Sequence, residues 1–235
     1  MLLAINSSTL QYGLAILDTN GVVLAENMMS RKKGHFGDLM PLFNALLSRT
    51  GVDTADLKAV IVAIGPGSFT GLRVGLSLAK GLCHSIEKPI IGVSSLEALA
   101  SQIPYSRYQI VPVLDSRKGE VFAAFFIPGK DGVLRKKGSD TCLKISELSS
   151  IVDEPSVFIG NDFLFQSRII KETLGKTAHI APPHLWNLKA SAVGWLGFNR
   201  YSKGEFDDPM SLTPLYLRGP DIRKISRPLF AQKDQ

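Results

Sequence analysis

Few residues of this 235-residue chain stand at spacings that could do chemistry, and the strongest group is a glycine-rich turn. Ala59 to Ile64 is a short run rich in Val and Ile, as a buried strand should be. It ends in Gly65-Pro66-Gly67-Ser68-Phe69-Thr70-Gly71, where a helical pattern begins at once. Gly65 and Gly67 free the backbone for a tight strand-to-helix turn, and Ser68 or Thr70 can cap the helix. Such a turn aims bare N–H groups and the positive helix end at one spot, so Gly65, Gly67, Ser68 and Thr70 suit an anion. The spacing G-x-G-x-x-x-G is nevertheless one residue off the dinucleotide pattern, and no G-K-[ST] follows.

The remaining chemical side chains are scattered. The four histidines, His35, His84, His179 and His184, contain no i, i+4 pair that could share a metal on one helix face. His35 beside Asp38 has the makings of a ligand or base but reads as an exposed loop histidine, and His179 and His184, around Pro182-Pro183, read as loop. Asp115 and Glu120 flank a polar turn, either as acid and base or as turn charges pairing with Arg117 or Lys118. Cys83 and Cys142 lie in no metal or redox spacing, which suits a reducing compartment. There is no G-x-S-x-G elbow, and Trp186 and Trp195 read as core or interface. No catalytic residue and no metal ligand is assigned.

The elements that must hold these turns are legible. Hydrophobic content of 45% is ordinary for a globular protein, and the length suits one large domain or two of about 100–130 residues. The start has no basic n-region, and no run approaches the roughly 18 apolar residues of a membrane span. Net charge of +6 is compatible with work near nucleic acid without requiring it, and Arg31-Lys32-Lys33 and Arg135-Lys136-Lys137 read as solvated loops. The chain opens with strands at Leu2–Ile5, Tyr12–Leu17 and Val22–Glu26, the last two joined by the hairpin turn Asp18-Thr19-Asn20-Gly21. A helix from near Asp38, ended by Gly51, follows, then the central strand, the glycine-rich helix, a strand at Ile90–Val93 and a short helix through Gln102. Ser94 or Ser95 with Glu97 can cap that last helix.

From Tyr108 the order begins again. Strands are expected at Ile110–Leu114, Glu120–Ile127 and near Val133, helices over 145–152, 163–174 and 189–200, and a strand at Val157–Ile159. The economical fold is a duplicated α/β fold, divided into residues 1–104 and 105–235, with the last helix packing back on the first half.

Two helix faces stand out. Phe36, Leu39, Met40, Phe43, Leu46 and Leu47 recur at the period of one helix. Gly67, Gly71, Gly75 and Ala79 recur every four residues and leave a stripe almost free of side chains. Each interior Gly costs about 1 kcal/mol against Ala, so the stripe needs a close neighbour: its own domain, or a partner helix.

The duplicated order, with a polar turn between the first two strands of each half, resembles the actin/sugar-kinase/heat-shock ATPase (ASKHA, ribonuclease H-like) superfamily. More narrowly, Gly65-Pro66-Gly67-Ser68-Phe69-Thr70-Gly71-Leu72-Arg73-Val74-Gly75 resembles the TsaB (YeaZ) family. Pro89-Ile90-Ile91-Gly92-Val93-Ser94-Ser95-Leu96-Glu97-Ala98-Leu99, Asp115-Ser116-Arg117-Lys118-Gly119-Glu120-Val121-Phe122 and Pro214-Leu215-Tyr216-Leu217-Arg218 support that resemblance over most of the chain. One departure is Asn6, where the family more often has Asp.

The resemblance implies a non-catalytic, cytoplasmic partner of the larger paralogue TsaD, in making threonylcarbamoyladenosine beside the tRNA anticodon. ATP and metal would sit on TsaD, a TsaE-like ATPase would complete the system, and tRNA would be met indirectly. Isolated chains could pair as a homodimer. The binding face implied is Leu39, Phe43 and Leu46 on one helix and Gly71, Gly75 and Ala79 on the next. TsaD binds metal through a His-x-x-x-His motif that falls here on Ser95 and Leu99, which are poor ligands. The alternative is a free-standing ASKHA kinase or M22-type metallopeptidase, which would need a complete metal-phosphate site.

Overall fold

The computed structural model describes residues 1–30, 37–161 and 163–219. Arg31-Lys32-Lys33, His35, Phe36 and the basic tail from residue 220 onward lie outside the described residues.

Alternation along the strands divides the first half's apolar side chains between two faces of one sheet. The sheet contains β1 (Leu2–Asn6), β2 (Gln11–Leu17), β3 (Val23–Ser30), β4 (Ala59–Gly65) and β5 (Ile90–Ser94), in the order β3-β2-β1-β4-β5. β1 pairs antiparallel with β2 and parallel with β4, and β2–β3 is antiparallel while β4–β5 is parallel. In β4, Val60 and Val62 point to one core and Ala59, Ile61 and Ala63 to the other, which is why that run has no polar residue. On the first face lie α1 (Leu39–Thr50), over β2 and β3, and α2 (Phe69–Ile86), over β1, β4 and β5. Gly51 ends α1 in the left-handed region at φ 67°, where a Cβ would be strained.

The second half repeats the plan. Its sheet contains β6 (Gln109–Arg117), β7 (Glu120–Pro128), β8 (Leu134–Lys144), β9 (Ser156–Gly160) and β10 (Ala178–Ile180), in the order β10-β9-β6-β7-β8. Position by position this is the first sheet again: two antiparallel hairpins, then two parallel additions. α4 (Leu164–Leu174) covers its outer face. Between the two sheets lie α3 (Ser95–Ala100), packed on β6, β7 and β9, and α5 (Ala190–Tyr201), packed on β1, β2, β4 and β5. Each half thus lends its last helix to the other half's sheet, and one core joins Leu2, Ile61 and Val193 to Ile110, Phe126 and Ile159.

Several expectations change. Arg135, Lys136 and Lys137 lie on the edge strand β8 and not in a loop, where their charges guard an unpaired sheet edge; Lys136 and Lys137 pair with Asp140 and Glu154. The helix expected over 145–152 is a 3-10 turn, Ile145–Ser150, whose Ser149 and Ser150 hydroxyls donate to carbonyls three residues back. His179 lies on β10, stacked on Tyr108, and His184 on a 3-10 turn. Trp186 is half-buried with its indole N–H on the Ala181 carbonyl, whereas Trp195 is exposed beside Phe198. The segment after α5 returns to the first sheet: Asp207 bridges Ile90, accepts the Gly92 N–H at 2.7 Å and pairs with Arg200 at 2.9 Å. Burial works to raise the Asp207 pKa, but the Arg200 and Gly92 hydrogen bonds outweigh it and leave it lowered.

Candidate functional site

The two turns that open the two halves face each other across a cleft of ≈ 450 Å³. The β1–β2 turn forms one wall with the start of α2. Asn6 is fully buried and every polar group of its side chain is engaged. Its Nδ2 donates to the Leu188 carbonyl at 2.8 Å and the Gln11 carbonyl at 3.4 Å, and its Oδ1 accepts from the Ser8 N–H and hydroxyl at 3.1 and 2.8 Å. Ser7 donates to the Gly71 carbonyl at 2.9 Å, and the Ser68 N–H donates to the Ser8 carbonyl at 2.7 Å.

These contacts explain the glycine stripe. A Cβ on Gly67 would run into the Ser8 backbone, and one on Gly75 into the Ser7 hydroxyl. The close neighbour is therefore this chain's own first turn. Gly71, Gly75 and Ala79 are buried, as are Leu39, Phe43 and Leu46, which pack onto the sheet. Within the single chain, then, the six residues expected to form a binding face are covered by the sheet and the first turn. Periodicity marks the face a helix buries but not what buries it, and here the sheet does. The outer face of these helices carries Met40, Asn44 and Ser48 on α1 and Arg73, Ser77, Gly81 and His84 on α2. A Cβ on Gly81 would meet nothing within 4 Å.

Of the anion-binding turn, Gly67, Ser68 and Thr70 line the cleft, while a Cβ on Gly65 would run into the Leu215 carbonyl. Gly65 has φ 120°, a conformation that L side chains rarely adopt. Ser68 caps α2, accepting the Gly71 N–H at 3.3 Å, and Ser94 caps α3 in the same way.

The opposite wall is the β6–β7 turn, where Arg117, Lys118 and Gly119 all have positive φ and Asp115 is exposed. Glu120 pairs with Arg218 at 2.9 Å, a partner that proximity along the chain does not suggest. Arg218 also donates to the Ser116 carbonyl at 3.0 Å. The floor is pinned by Asn161, which donates to the Gln11 side chain across the halves and accepts the Leu188 N–H at 2.9 Å. Asn161 and Arg218 carry no periodic or motif signal of their own; the latter stands only at the end of the quoted Pro-Leu-Tyr-Leu-Arg run.

Ser95 and Leu99 are both fully buried in α3, and Leu99 belongs to the central core. The Ser95 hydroxyl has no hydrogen-bond partner, and burial raises the pKa of neighbouring Glu97. A leucine and a neutral hydroxyl do not fit a divalent ion, and no described group of three or more His, Cys, Asp or Glu is placed to hold one. Among the described residues no helix is long and apolar enough to cross a membrane.

Known proteins share this architecture. The family model for TsaD, tRNA N6-adenosine threonylcarbamoyltransferase, matches residues 22–197. The Bacillus subtilis tRNA threonylcarbamoyladenosine biosynthesis protein TsaB is 33% identical over 92% of this chain and 93% of its own. The Escherichia coli TsaB is 30% identical over 61% of this chain and 62% of its own. The crystal structure of YeaZ from Pseudomonas aeruginosa superposes with a TM-score of 0.72 at 23% identity, over 91% of this chain and 99% of that one. The duplicated sheets, the glycine turn packed on Ser7 and Ser8, and identity along nearly the whole length place this chain in the TsaB (YeaZ) family, on the scaffold it shares with TsaD.

Proposed function

We propose that the chain is a non-catalytic partner subunit of a TsaD-like paralogue in the formation of threonylcarbamoyladenosine in tRNA. The observation that carries this reading is the engagement of Asn6. In a fold with two facing turns, the first is where a phosphate or metal would be gripped, and here each polar atom of its buried side chain already holds the chain's own backbone or Ser8. A residue so occupied has no lone pair or N–H left for a ligand. ATP, metal and the transfer chemistry then belong to the paralogue, with a TsaE-like ATPase beside it, and tRNA is met through the complex in the cytoplasm.

The paralogue would meet the outer face of α1 and α2, where Ser77 and Gly81 form a low strip flanked by half-buried Val74 and Leu78. Small residues there let a second helix approach closely. Without the paralogue, two copies would pair through the same strip. Gly81→Leu tests this. It should leave melting unchanged or raise it, since Gly costs about 1 kcal/mol in a helix interior and nothing stands within 4 Å. Pull-down of the TsaD-like paralogue should weaken about tenfold or more, roughly 1.4 kcal/mol. Undiminished binding by folded Gly81→Leu removes this strip from the interface.

A further inference from the structure

The segment Pro214–Arg218, whose residues 215 to 218 line the cleft, is fastened to both halves. On the first half, the Leu215 N–H donates to the Ile64 carbonyl at 2.7 Å, at the end of β4. Tyr216 packs on Phe69 with ring centroids 5.2 Å apart, and Arg73 lies over Phe69 and donates its Nε–H to the Tyr216 hydroxyl at 3.1 Å. On the second half, Arg218 grips Glu120 and the Ser116 carbonyl. Only Leu217 separates the Tyr216 anchor from the Arg218 grip, and two steps of extended chain reach about 7 Å at most. The floor of the cleft is pinned independently, through Asn6 and Asn161.

We infer that Pro214–Arg218 is a latch that sets the width of the cleft, with Arg218 as its catch. With the floor fixed and the strap anchored on the first half, the β6–β7 turn cannot swing away from the start of α2 until Arg218 lets go of Glu120 and Ser116. Release opens the mouth, and closure holds the two turns facing. The inference goes beyond the partner reading and stands or falls without it, since every contact lies within one chain.

The chain carries its own reporter. Cys142 is half-buried, with its Sγ 3.3 Å from the Ser116 hydroxyl and 4.0 Å from Glu120, the two residues that Arg218 holds. The other thiol, Cys83, is buried and its pKa is pushed up to about 11 by burial, so it stays silent near pH 8. In the full chain, Arg218→Ala should raise the rate at which Ellman's reagent labels Cys142 about fivefold, with Cys142→Ser abolishing the signal. A second readout separates opening from local loosening. Spin labels at Thr70→Cys and Phe165→Cys, in a Cys83→Ser/Cys142→Ser background, stand on the two halves at exposed positions. Arg218→Ala should lengthen and broaden their distance distribution. Faster labelling with an unchanged distance means only local loosening and overturns the latch, as does an unchanged labelling rate. Tyr216→Ala, which frees the other anchor at an exposed side chain, must shift the distance the same way; it serves as the deciding variant if Arg218→Ala does not fold.

Discussion

The turn between β1 and β2 and the turn between β6 and β7 occupy the same place in the two halves, yet they have opposite surroundings. The first is sealed: Asn6, Ser7 and Ser8 are buried, bonded to one another and to α2, and the glycines of α2 exist to let them in. The second faces water on left-handed residues, and one of the contacts that hold it is the side chain of Arg218, about a hundred residues away in sequence. A duplicated fold does not duplicate its uses. One copy of the turn has become core, while the other remains a surface whose position is set from outside.

That contrast is broken most severely by Gly75→Leu. The new side chain must displace Ser7 and its bond to the Gly71 carbonyl, and overpacking alone typically costs 1–3 kcal/mol, so a loss of about 3 kcal/mol or failure to accumulate folded protein is expected. Urea unfolding checks it, and a stable, well-folded Gly75→Leu protein would show that the first turn is not sealed by α2.

A paired substitution sharpens the same contrast. Asn6→Asp puts a carboxylate where two carbonyls, of Leu188 and Gln11, now receive N–H donors, at a fully buried site. Leaving those acceptors bare against a charge should cost about 2–3 kcal/mol. Asp115→Asn, at the exposed second turn, should stay within about 0.5 kcal/mol. Comparable losses from the two would contradict the asymmetry.

How much of this is legible in the sequence follows from the range over which each signal acts. The glycine stripe announces a close neighbour because every interior glycine has a local cost, and the alternation of β4 and the period of α1 announce buried faces. What covers those faces is not a local property: Gly75 meets Ser7, sixty-eight positions away, and the same stripe would serve a partner helix equally well. β10, at three residues, is too short to show alternation, and the serines of 145–150 bond their own backbone in a way that binary pattern does not register. The pairing of Glu120 with Arg218 has the same origin, because only the folded chain brings position 218 to the second turn.

The central claim, a partner without chemistry of its own, is tested most directly by reconstitution. With tRNA and an activated threonylcarbamoyl donor supplied in every arm, threonylcarbamoyladenosine formation would be measured with this chain alone, with the TsaD-like paralogue and TsaE-like ATPase alone, and with all together, alongside ATP turnover by this chain alone. The account predicts no modified tRNA and no turnover from this chain alone, and formation restored only when it joins the paralogue. Magnesium-dependent ATP turnover by the isolated chain, lost in Asn6→Ala that still folds, would contradict it.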